Sequence, residues 1–203
     1  FLRTLLWVFF YGRLELAQMA QSAARLVEAG ADGIVTGVLT PEGDVDVEAL
    51  QPIYAAARAA AQRAGRPVAC TLHRAFDVCR DPFAALEAAR ALGLSTILTS
   101  GQAPSAPEGA ALLKRLVEAA GPELEILVGA GVTPENLPAL AAATGARAFH
   151  LSGKRVLDSR MTFRREGVPM GCRAFRSLRS GRPMRGHPPG PQRSGQPVTG
   201  YNA

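Results

Sequence analysis

Five glycines recur in one setting along this chain, each where a helical pattern stops and an apolar run begins. They are Gly30 in EAGADGIV, Gly65 in RAGRPVACTL, Gly93 in ALGLSTIL, Gly121 in AAGPELEILV and Gly145 in ATGARAFH. Glycine accepts the left-handed conformation that closes a helix, so each marks the position just past a helix end. The intervals of 35, 28, 28 and 24 residues fit one helix, one strand and two short loops. The chain therefore repeats a single αβ unit five times.

The other helix ends agree. Ser105 and Glu108 have capping-box spacing, and Asp81-Pro82 and Thr133-Pro134 each place a cap before a proline suited to the first helical position. Leu16, Met19, Ala23 and Leu26 form one helical stripe, and Leu113, Leu116, Val117 and Ala120 another. The runs GIVTGV, VACTLH, TILTS, EILVG and RAFHL read as short parallel strands, apolar on both faces. Strict alternation of this kind predicts an α/β fold, either a doubly wound sheet or a (β/α)8 barrel. No GxGxxG or GxxxxGK[ST] follows a strand, which weighs against nucleotide folds with those fingerprints.

The strands share the placement of their polar residues. His73-Arg74 ends one strand, Thr99-Ser100-Gly101 a second, Gly129-Ala130-Gly131 a third, and His150 with Ser152 a fourth. In a parallel α/β fold these ends lie on one side, and in a barrel that side carries the active site. Arg74 can hold a carboxylate or phosphate bidentately but cannot carry a proton. His73 is expected to exchange a proton near neutral pH, Asp77 to orient Arg74 rather than act as a base, and His150 to be a further catalytic candidate. Thr99, Ser100, Gly101, Gly129, Gly131 and Ser152 offer hydroxyl and backbone donors suited to an anion. A plainer reading makes the His73-Arg74 pair a strand end satisfied by carbonyls and Asp77. Cys70, inside an apolar run, reads as core, and Cys79 is a weak candidate for a soft metal because one thiolate is a poor site.

Composition bounds the rest. A chain of 203 residues that is 47% apolar can bury one core. The net charge of +6 comes from six arginines beyond Gly171, a stretch without acids whose proline, glycine and arginine predict a disordered tail. With no aromatic array in it, a nucleic-acid contact is not expected. Three cysteines without CxxC spacing argue against a disulfide framework or structural zinc site and suggest a reducing compartment. FLRTLLWVFFYG falls short of the roughly 20 residues a spanning helix needs, so no membrane partner is expected.

In order and spacing, GADGIVTGVLTPEGDVDVEAL, HRAFDVCRDPFAALEAARALG, ILTSGQ, GAGVTPEN, FHLSG and DSRMTF resemble the CutC copper homeostasis family. The resemblance implies a TIM barrel, a cytoplasmic location with the nucleus as a second, homo-oligomers, and a role in handling copper(I). It also exposes departures. Family members carry three further strands before this region, with the cysteines proposed for copper among them. Ala130 stands where the family has the middle glycine of GGG, and Ala148 where it has glutamate. The expectation is an incomplete (β/α)8 barrel over residues 12–171, after an apolar remnant at 1–11 and before a basic tail at 172–203. Such a chain would leave two sheet edges open and would be a truncated or non-functional variant without tight copper(I) binding. The rival expectation is a barrel enzyme acting on a small phosphorylated or carboxylated metabolite through His73 and Arg74.

Overall fold

The computed structural model describes residues 9–153 and Phe163. Expectations for residues 1–8, for most of DSRMTF and for the arginine-rich tail fall outside the described residues. Every helix and strand below belongs to the unit Phe1–Arg155.

Helix and strand alternate throughout: α1 (Arg13–Glu28), β1 (Gly33–Thr36), α2 (Val47–Arg63), β2 (Ala69–Leu72), a 3-10 turn (Arg74–Val78), α3 (Pro82–Ala91), β3 (Thr96–Thr99), α4 (Ala110–Ala120), β4 (Glu125–Val128), α5 (Leu137–Thr144) and β5 (Ala148–Phe149). All strand pairs are parallel, and the sheet order β1-β2-β3-β4-β5 follows the chain. Sequential order without reversal is that of a barrel wall, whereas a doubly wound sheet reverses at a switch point. All five punctuating glycines have positive φ, from 62° at Gly93 to 107° at Gly30.

The two faces of the strands are not equally buried. Ile34, Cys70, Leu72, Ile97, Ile126 and Val128 are buried in one core with helix residues such as Val27, Leu50, Tyr54, Leu86 and Leu116. The alternate positions Val35, Thr71 and Leu127 are half-buried, and Leu98 is the one position of that set that is fully covered. The helix-facing side of the sheet is thus the stronger core. Tyr54 ties it to the sheet: its hydroxyl lies 3.2 Å from the Thr36 carbonyl and 3.0 Å from that of Thr71, bridging β1 and β2.

Two helix expectations need correction. On α1 the buried stripe is Met19, Ala23 and Val27, a single i, i+4, i+8 row, and Leu26 beside it is exposed. The Ser105–Glu108 pair does not cap α4. The Ser105 hydroxyl donates to the Glu108 carboxylate within a turn, and the helix begins later at Ala110. Asp81-Pro82 does cap α3, with the carboxylate accepting from Phe83 N at 2.8 Å and Ala84 N at 3.2 Å. Thr133 and Asn136 bond reciprocally, the Asn136 side chain in the place of a capping acid, before α5 becomes regular at Leu137.

Arginines close the helix C-termini from neighbouring elements. Arg66 donates to Val27 O at the end of α1, Arg58 to Leu92 O and Gly93 O after α3, and Arg90 to Ala119 O and Ala120 O at the end of α4. Each cation meets carbonyls at the C-terminal end of a helix, the negative end of its dipole. Arg90→Ala is therefore expected to cost about 1–2 kcal/mol, read as a lowered thermal midpoint, whereas Arg13→Ala at the exposed start of α1 should leave it unchanged. Among the described residues, no helix is long and apolar enough to cross a membrane.

Candidate functional site

The C-terminal strand ends enclose a cleft of about 500 Å³ lined by His73, Arg74, Gly131, His150 and Ser152 with the apolar Phe9, Leu98, Ala130, Val132 and Leu151. Local geometry explains each position. After β2 the chain turns at once into the 3-10 segment, with His73 as its cap: the His73 Nδ1 accepts from Ala75 N at 3.1 Å. That turn brings Arg74 to the rim and Asp77 beneath it.

Asp77 is the hub. Its side chain is only 5% exposed and accepts from Arg74 Nε at 2.6 Å, Thr99 Oγ1 at 2.5 Å, Ser100 N at 2.9 Å and Gln102 N at 3.2 Å. Arg74 also donates Nη2 to Ser100 Oγ at 3.0 Å. One edge of the guanidinium, Nε with Nη2, is thereby held, and the end carrying Nη1 keeps its donors for the cleft.

The expected anion donors have a different fate. The Thr99 hydroxyl and the Ser100 N–H go to Asp77, Gly101 N donates to Thr99 Oγ1 at 2.9 Å, and the Ser100 hydroxyl donates to Ala103 O at 2.6 Å. Gly129 N is used in the sheet, donating to Thr99 O at 2.9 Å. These residues build the support behind Arg74, while Gly131, His150 and Ser152 line the cleft itself. Gln102 was not foreseen. Its φ of 54° and its amide donating to Cys79 O at 2.8 Å fasten the end of β3 to the 3-10 turn. Only the tolerance of a turn for left-handed backbone could have hinted at it, and glutamine is not the usual residue there.

His73 corrects a second expectation. Burial lowers its pKa from the ordinary 6.5 to about 4, against a smaller opposing effect of its backbone hydrogen bond. It is a neutral imidazole near pH 7 and does not titrate there. Because the native pKa lies below the unfolded one, the unfolded state binds more protons between about pH 6.5 and 4, and stability falls as the pH drops through that window. The thermal midpoint should fall accordingly on acidification, and His73→Gln should flatten the fall.

Cys70 and Cys79 are both buried and free. Burial pushes the Cys70 thiol up, and pushes Cys79 up to about 11 despite the Gln102 hydrogen bond. They do not converge. Cys70 is on the helix-facing side near Tyr54 and Arg58, while Cys79 follows the 3-10 turn beside Gln102. Among the described residues, no group of three or more His, Cys, Asp or Glu could hold a metal ion.

Ala130 has φ 72°, a conformation that disfavours any residue with a Cβ. Ala130→Gly is expected to stabilise the chain by about 0.5–1 kcal/mol, measurable by denaturant titration. An unchanged or lowered midpoint would show that the alanine methyl repays the strain by packing in the cleft.

Comparison with known proteins bears on the family and the fold. Residues 3–155 match the CutC family. A CutC family protein from Chromobacterium violaceum is 50% identical over 164 residues, covering 81% of this chain and 63% of the relative. The human copper homeostasis protein cutC homolog is 39% identical over 164 residues, 81% of this chain and 57% of that protein. The chain thus spans less than two-thirds of these relatives' length. The crystal structure of CutC from Streptococcus agalactiae superimposes with a TM-score of 0.63 at 33% identity, covering 70% of this chain and 66% of that one.

Proposed function

The chain belongs to the CutC family, and from that premise we propose that its strand-end cleft binds a small carboxylate or phosphate metabolite, as a barrel enzyme site does. One observation carries this reading. Arg74 is 43% exposed, lines the cleft, and is clamped along one edge by Asp77 and Ser100, so that its remaining N–H donors are pre-oriented. A guanidinium fixed in this way matches the planar fork of a carboxylate or phosphate, and little side-chain entropy is lost on binding.

The test is a titration with inorganic phosphate and with butyrate, followed by NMR or calorimetry. Arg74→Ala should abolish binding, and Arg74→Lys should restore only part, since lysine keeps the charge and loses the fork. Unchanged binding in both variants would make the His73-Arg74 strand end structural.

The human relative's name supplies a second reading, in which the cargo is copper. Copper(I) takes two or more converging soft donors, whereas Cys70 lies within β2 and Cys79 follows the 3-10 turn, both with raised thiol pKa values. This reading fits the described residues poorly. Against a strong copper(I) chelator, weak thiol-dependent uptake without defined stoichiometry is expected. Retention of one copper per chain, lost in Cys79→Ser, would favour copper as the cargo instead.

A further inference from the structure

His73 carries an unmet donor. Its Nδ1 accepts from Ala75 N, which puts the proton of the neutral ring on Nε2, and Nε2 has no partner among the described residues. The residue is 7% exposed, so water does not readily serve this N–H. Buried donors are nearly always paired, and one that is not calls for an explanation.

The surroundings say what could pair with it. The Phe9 ring lies 4.9 Å from the imidazole, and Ala75 packs nearby. Gly37 permits the close fit, since a Cβ there would stand 2.7 Å from His73 Nδ1. These neighbours supply no side-chain oxygen. A ligand group meeting Nε2–H must therefore accept without needing an acceptor for a proton of its own. A carbonyl oxygen does this, whereas a hydroxyl brings a hydrogen that needs an acceptor of its own. The charged end of the ligand has its own partner next door in Arg74, which also lines the cleft.

Resting on the anion-binding reading above, we propose that the cleft selects an oxo-anion of the 2-oxo acid or keto phosphate class, its charged group on Arg74 and its carbonyl oxygen accepting from His73 Nε2–H. Burial, which keeps His73 uncharged well below neutral pH, supports the assignment, because a neutral ring donates this bond without adding charge. The apolar remainder of the wall, Leu98, Val132 and Leu151, suits the carbon skeleton of such a ligand.

Matched probes test it by calorimetry or NMR titration of the whole chain. The pair 2-oxobutyrate and butyrate differs by the carbonyl alone, as does the pair hydroxyacetone phosphate and propyl phosphate, and comparing the pairs identifies the charged group. In the preferred pair the oxo compound should bind about tenfold more tightly, unchanged between about pH 6 and 8. His73→Phe should remove that preference, so that each oxo compound and its plain partner bind alike. His73→Gln, which restores a donor, should recover part of it, with circular dichroism confirming that both variants fold. Equal binding of oxo and plain anions by the parent, or equal binding of 2-oxobutyrate and 2-hydroxybutyrate, would overturn the carbonyl assignment while Arg74 dependence preserved the anion reading. If no probe binds, or if binding survives Arg74→Ala, the anion reading fails and this inference with it.

Discussion

Asp77→Ala is expected to lower stability by about 3–5 kcal/mol, the largest effect of any single polar substitution in the described chain. The carboxylate takes four donors from three elements: Arg74 in the turn, Thr99 at the end of β3, and the backbone N–H groups of Ser100 and Gln102. Alanine would leave those N–H groups buried and unpaired, which costs more than the bonds contribute when made. For a chain of this size the thermal midpoint should fall by about 10 °C. Asp77→Asn keeps one carbonyl acceptor and should fall between the two, but its amide would face the Arg74 guanidinium donor to donor. Anion affinity should drop in both variants, because Arg74 loses the partner that holds its edge. A midpoint within about 2 °C of the parent would mean that water replaces the carboxylate and that Asp77 is not the hub.

Gly109→Ala is expected to be comparably damaging for a purely steric reason. A Cβ at this position would lie 1.9 Å from the Ser100 carbonyl oxygen, and one at Gly101 would lie 2.5 Å from the Gly109 carbonyl oxygen. Both contacts are with backbone, so neither can be relieved by a rotamer change. The end of β3 and the start of α4 would have to separate, costing about 3 kcal/mol or more and disturbing Ser100 behind Arg74. Gly65→Ala is the informative control. Gly65 has φ 66° but nothing within 4 Å of an added Cβ, so only the conformational cost of about 1 kcal/mol should appear. Equal losses at the two positions, by denaturant titration, would refute the close-approach argument.

These two glycines also show what the sequence made legible. Gly65 belonged to a pattern, the helix stop before an apolar run, and that pattern recovered all five strands and their parallel direction. Gly109 has an ordinary φ of −88°, and its need for glycine comes from Ser100, a neighbour brought close only by the fold. The same distinction runs through the site. That His73, Arg74, Gly131, His150 and Ser152 would meet at the strand ends followed from strand direction alone, and so did a role for Asp77 beside Arg74. Which donors stay free did not follow, because Thr99, Ser100 and Gly101 satisfy Asp77 and one another through contacts between separate elements. The neutral state of His73 depended on burial against Phe9 and Gly37, which no spacing rule expresses. Leu26 and Val27 are adjacent letters of equal apolarity, and only the packing of α1 decides which one is covered.

The central claim is that Arg74 is a pre-oriented anion anchor at the mouth of a barrel-type cleft. A crystal structure of the chain grown or soaked with hydroxyacetone phosphate tests it most directly. The account predicts the anionic group on the free end of the guanidinium, hydrogen-bonded to Nη1, with the Arg74–Asp77 and Arg74–Ser100 bonds retained. A ligand seated elsewhere, or an Arg74 that must release Asp77 to reach it, would contradict the account.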